Sequence, residues 1–246
     1  MSKRYAEPPV VEAVCEFRFG TDTEWDLTVP GLIYDKVRDA FPLKEQRVSQ
    51  EIEVSAGPHQ VGGMELPVER MVFLDTLRRS FIQVGQRMLA MNCLRPYPGW
   101  NGFRPKIERV FGAVSATVRV GGLGRIGLRY VNRIEVPGSK VDLDQHFQFR
   151  PFLAQELPQD MLSFIVGCLL PFENGRDLCR LQLTGAVPEK PGHMAVQLDL
   201  DYFLAGASPL APGDALAWIE NAHEETERLF EGCITDRLRA LFKEIG

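Results

Sequence analysis

Long apolar runs are missing from this chain of 246 residues. No stretch approaches the roughly 18 residues that a membrane-crossing helix requires, which excludes a helical span. The opening MSKRYAEPPVVEAVCEF has acids interrupting any apolar segment, so it does not read as a secretory signal. Cysteine is odd in number: Cys15, Cys93, Cys168, Cys179 and Cys233, with no CxxC pair among them. Four of these, all but Cys93, sit in apolar patterns, where a reduced thiol behaves as a small hydrophobe. The expectation is a reduced, cytoplasmic protein with no disulfide and no zinc site. Histidine is scarce, with four in all, and neither a GxSxG elbow nor a Walker loop is present. A Cys/His nucleophilic pair stays open, because such residues meet in space and not in sequence.

What is present is an ordinary globular composition, 45% hydrophobic and 25% charged, with a formal net charge of -5. Residues 10–19 alternate apolar and polar, as do 125–136 and 194–204, which is the period of half-buried strands. Further strands are expected at 47–55, 70–77, 81–91 and 178–187. Helices are expected at about 29–40, 101–118 and 158–170, and from Asp214 to the C-terminus. A Gly/Pro-rich loop at 56–67, the turn Pro96-Tyr97-Pro98-Gly99 and the loop 205–213 separate them. Trp100 leads into Ile107-Glu108-Arg109-Val110-Phe111, and Trp218 leads into Thr226-Glu227-Arg228-Leu229-Phe230. This echo predicts an α+β fold of two pseudo-repeats, about 1–120 and 121–246. They would share one mainly antiparallel sheet, with helices on one face, as a single domain.

Four stretches carry a resemblance. They are Tyr5-x-x-Pro8-Pro9-Val10-Val11-Glu12-Ala13-Val14, Tyr97-Pro98-Gly99-Trp100 with Phe103, Leu128-Arg129-Tyr130-Val131-Asn132-Arg133-Ile134, and His223-Glu224 followed by Leu229-Phe230 and Ile234-Thr235. Together they resemble a sporadically distributed prokaryotic family of uncharacterised proteins of about this length. The resemblance implies a single full-length domain and a prokaryotic setting, with a mobile or defence-linked role. It brings no catalytic residues.

Two motifs reduce to structure. Gly122-Leu123-Gly124-Arg125-Ile126-Gly127 matches GxGxxG, but a dinucleotide fingerprint needs a strand before it and a helix after it. Here the expected order is helix then strand, so no cofactor is expected. His223 and Glu227 sit four apart where a zinc helix would need two histidines, and they read as a solvated pair.

Charge segregation is the most informative feature. From Arg78 to Arg133 there are eleven basic residues and one acid, Glu108, while the flanking thirds are acidic. Arginines among aromatics suit phosphate forks and base stacking. Candidate ligand or anion-binding residues are Arg104, Lys106, Arg125, Arg129, Arg133, Tyr97, Trp100, Tyr130 and Asn132. The competing reading pairs these arginines internally with Glu12, Glu16, Asp199 and Asp201 across the sheet. The leading expectation is a non-enzymatic interaction module, holding a protein partner or a second copy through a charged sheet face or the C-terminal helix. Nucleic acid or nucleotide binding by the arginine block is the alternative. An enzyme with a pocket between the halves, where Tyr130, Asn132 and His223 converge, is a further one.

Overall fold

The computed structural model describes residues 3–52, 65–159, 161–206 and 208–245. In chain order the elements are β1 (Arg4–Tyr5), β2 (Val10–Phe19), α1 (Val29–Val37), β3 (Leu43–Ile52), β4 (Glu65–Leu74), β5 (Ser80–Gly85), β6 (Met88–Leu94) and α2 (Trp100–Ser115). Then come β7 (Leu123–Pro137), α3 (Leu143–His146), β8 (Ile165–Phe172), β9 (Asp177–Ala186), β10 (His193–Leu204), α4 (Ala215–Cys233), α5 (Asp236–Leu241) and β11 (Glu244–Ile245). Nine strands form one antiparallel sheet in the order β3-β4-β5-β6-β2-β7-β10-β9-β8, and β1 pairs with β11. The fold is therefore mixed α+β around one large antiparallel sheet. Among the described residues, no helix is long and apolar enough to cross a membrane.

Alternation sets the burial of the central strands. Ala13, Cys15, Phe17 and Phe19 of β2 are buried, while Val14 and Glu16 between them are half-buried and Arg18 is exposed. In β7, Ile126, Leu128, Tyr130, Asn132, Ile134 and Val136 point into the core, while Arg125, Arg129 and Arg133 point out of it. Helices α2 and α4 add apolar stripes at helical spacing to the same buried core. α2 contributes Phe103, Ile107, Val110 and Val114; α4 contributes Trp218, Ile219, Ala222 and Cys233. Phe111 stacks on Phe17 at 4.8 Å. One buried cluster takes residues from all these elements. Each fully buried Phe, Ile or Leu in it contributes on the order of 1.5–3 kcal/mol.

Several expectations are corrected. Residues 165–172 form a strand, not part of a helix at 158–170: β8 pairs with β9, matching Ile165 with Thr184 and Leu169 with Arg180. Tertiary pairing overrides an apolar run that local pattern leaves ambiguous. The strand expected at 81–91 is a hairpin of β5 and β6, turning at Gln86-Arg87 with Arg87 at φ 50. The long C-terminal helix breaks at Ile234, which is extended and bridges to Phe147. The strand expected at 47–55 starts earlier, at Leu43, and that expected at 70–77 is β4, ending at Leu74. Most of the loop at 56–67 lies outside the described residues.

Candidate functional site

The turn Tyr97-Pro98-Gly99-Trp100 delivers two aromatic rings to the start of α2. Gly99 sits at φ 75, a conformation that a residue with a Cβ rarely adopts. A Cβ on Gly102 would lie 2.7 Å from the Pro98 ring, so the glycine lets the turn fold down onto the helix. Trp100 then stacks on His223 of α4, with centroids 4.0 Å apart and planes 14° apart. Its indole N–H donates to Glu220 Oε1 at 2.9 Å, and Arg104 Nε, one helical turn on, donates to Glu220 Oε2 at 2.6 Å. The first turns of α2 and the middle of α4 are thus clasped by one carboxylate.

Helical spacing places Glu220, His223, Thr226, Glu227, Phe230 and Glu231 along one side of α4. They look across a cavity of about 710 Å³ toward Tyr97, Tyr130, Asn132 and the N-terminal segment Lys3 to Val10. The Tyr130 hydroxyl lies 3.1 Å from His223 Nδ1 and 3.4 Å from the Tyr97 hydroxyl, forming a three-membered hydrogen-bonded chain. Asn132 is buried and donates through Nδ2 to the Leu198 carbonyl at 3.2 Å. On the far wall Tyr5 donates to Glu231 at 2.5 Å, and Arg239 donates to the same carboxylate at 2.9 Å. Tyr5 also packs edge-on against Phe230 and Phe242.

The cluster of Tyr97, Tyr130, Asn132 and His223 in this site is polar but uncharged. Burial pushes the His223 pKa down to about 4, against the pull of Glu220, so the ring is neutral near pH 7. Burial raises the phenols of Tyr97 and Tyr130 well above their ordinary value, so both keep their protons. Burial works against the Glu220 carboxylate, but the bonds from Trp100 and Arg104 outweigh it and hold its pKa below the ordinary value. Charge surrounds these groups: Glu220, Glu224, Glu227, Glu231, Lys3 and Arg4 also line the cavity, with Glu224 and Arg4 exposed. Among the described residues, no three His, Cys, Asp or Glu side chains gather as a metal site.

The arginines occupy a different place. Arg125, Arg129 and Arg133 stand on the outer side of β7, away from the cavity. Asp199 receives Arg129 through two bonds, of 2.8 and 2.5 Å. Arg125 lies over the Phe203 ring at 4.2 Å and reaches Glu16 and Asp201 at 3.5 and 3.7 Å. Arg133 bridges Glu135 and Glu189 at 3.3 and 3.4 Å and donates to the Val187 carbonyl. Gly127 floors a shallow basin of about 340 Å³ between Glu16, Arg18, Arg125, Arg129 and Asp201. Elsewhere in the block, Arg95 pairs with Glu189, Arg78 with Glu45 and Arg109 with Asp39.

Tyr97, Trp100, Tyr130 and Asn132 thus meet around one cavity, with Arg104 behind them through Glu220. Arg125, Arg129 and Arg133 share the opposite face, and Lys106 lies on α2 outside both groups. Sequence reasoning missed Glu220, Tyr5 and Glu231. The available signal for Glu220 was its position three residues before His223, on the same helical face.

No family model matches the chain, no curated protein matches it and no solved structure matches it.

Proposed function

We propose that the chain is a non-enzymatic binding module whose working site is the cavity between its two halves. The observation that carries this reading is the cavity itself: about 710 Å³, walled by aromatic rings, neutral hydrogen-bonding groups and charged side chains. That volume is typical of small-molecule sites, in which an apolar lining holds the body and a few polar groups fix orientation. The halves are read as two copies of one unit related about the β2–β7 junction. The strand order supports this: each half runs outward from its first strand, β6 beside β2 and β10 beside β7. The helices of both copies are read as covering the inner face, which puts the cavity at their seam.

The ligand class follows from the walls. Four carboxylates and two cations line the cavity, and Glu220, Glu227, Glu231 and Lys3 already have partners. Aromatic faces beside carboxylates favour an organic cation over an anion. The fitting ligand is a compact amine carrying a flat apolar part. Nucleic acid on the outer face is the weaker reading, because a phosphate would have to displace the carboxylates now bound to Arg125, Arg129 and Arg133.

The test is calorimetric titration of the purified protein with phenethylamine, phenethyl alcohol and phenylacetate. The amine is expected to bind, the alcohol to bind roughly tenfold more weakly and the carboxylate not at all. Equal binding of phenylacetate would overturn the ligand class, and no binding by any of the three would count against the cavity. The hydrogen-bonded chain Tyr97–Tyr130–His223 favours one second reading, in which a neutral imidazole and two phenols pass a proton for a bound substrate. Turnover of a bound amine, abolished in His223→Gln with binding retained, would establish it.

A further inference from the structure

The nine-stranded sheet ends in two strands of opposite character. β3 carries Lys44, Glu45, Arg47 and Glu51. β8 carries no charged residue, and neither do residues 161–164 before it. Edge strands normally blunt themselves with charge, because an open row of backbone donors and acceptors is a template for pairing. β8 has no such guard. It is bonded to β9 on one side only, and among the described residues no backbone hydrogen bond joins residues 150–163 to it.

The side chains of β8 are apolar on both faces. Ile165 is 75% exposed and Leu169 54%, with Gly167 between them on the outer face; Val166, Cys168 and Leu170 are half-buried against the core. Leu162, fully exposed three residues upstream, extends the strip.

We propose that β8 is a self-association edge. Two copies pair β8 to β8, antiparallel about a twofold axis at Gly167, and join their sheets into one. In this register Ile165 faces Leu169 of the second copy, Gly167 faces its own counterpart, and Val166 faces Cys168. Every cross-strand pair is then apolar or glycine. Charge selects a second β8 as the occupant. A twofold contact sets a surface against itself, so it tolerates an uncharged strand and penalises one rich in charges of either sign. Pairing β8 with β3 of another copy would set Ile165 and Leu169 beside Lys44, Glu45 and Arg47. It would also leave both outer edges open, giving a filament in place of a closed dimer. Pro171 has no N–H to give and ends the ladder close to the strand terminus.

This inference does not depend on the cavity. The experiment is sedimentation of the full chain from about 1 to 100 µM, the range in which a modest interface separates. The wild type is expected to sediment as a concentration-dependent dimer and Ile165→Lys as a monomer. Adding Leu169→Glu to Ile165→Lys is expected to restore the dimer through two symmetric cross-strand ion pairs. Adding Leu169→Lys is expected to leave a monomer. Both positions are exposed, so the variants keep their fold, which far-ultraviolet circular dichroism checks. A monomeric wild type, a dimer indifferent to Ile165→Lys, or an open-ended series of larger species would each overturn the proposal.

Discussion

The two faces of β7 come from interleaved residues and do opposite things. Tyr130 and Asn132 look inward, where each is buried and hydrogen-bonded. Arg129 and Arg133, one residue away from them, look outward into a lattice of carboxylates. The outer face holds the charge and satisfies it internally. The inner face of β7 holds no charge and borders the larger cavity, whose charge comes from α4 and the N-terminal segment. Ionised groups on a wet sheet face find partners across neighbouring strands.

That contrast can be broken from either side, and the outer face gives the largest effect. Asp199→Ala leaves the Arg129 guanidinium without the carboxylate that holds both its arms and should cost roughly 2–3 kcal/mol in urea unfolding, less than in a fully buried pair because the Arg129 side chain is 41% exposed. Replacing Asp199 and Arg129 together with leucine should recover most of that loss, since only the single variant strands a charge.

On the inner face the effect depends on pH. The folded protein holds His223 neutral down to about pH 4, while an unfolded histidine takes a proton near 6.5. Between these values the unfolded state binds more protons, so stability falls as pH drops from about 6.5 to about 4. With part of the ring open to solvent, the contribution should be about 2 kcal/mol. Unfolding of wild type and His223→Gln across that range isolates it: the glutamine variant should lose less stability on acidification. Equal slopes would mean that His223 is not held neutral by burial.

The smallest effect belongs to the exposed pairs. Arg95→Gln removes the ion pair with Glu189, whose side chains are both about half exposed, and should change stability by less than about 1 kcal/mol.

How much of this was legible in the sequence follows the same division. Strict alternation announced β2, β7 and β10, and the two tryptophans announced α2 and α4. β8 stayed hidden because an edge strand with apolar residues on both faces has no period-two signature. The β5–β6 hairpin stayed hidden because its turn, Gln86-Arg87, contains no glycine or asparagine to mark it. At the site, Tyr97, Trp100 and Tyr130 are legible from their place among arginines, although Arg125, Arg129 and Arg133 face elsewhere, and Asn132 from its position on the apolar face of its strand. Glu220 and Tyr5 were invisible for a different reason. Their partners Trp100 and Glu231 lie 120 and 226 residues away, and no local pattern encodes such a pairing.

The measurement that bears most directly on the division of labour is the affinity for phenethylamine of the wild type and three variants. Trp100→Ala removes a cavity wall, Glu224→Lys reverses the charge at its exposed rim, and Arg125→Gln alters only the outer basin. Calorimetry should show binding weakened about tenfold or more in the first two and unchanged in the third. Binding lost in Arg125→Gln and retained in Trp100→Ala and Glu224→Lys would contradict the account and move the site to the outer face of the sheet.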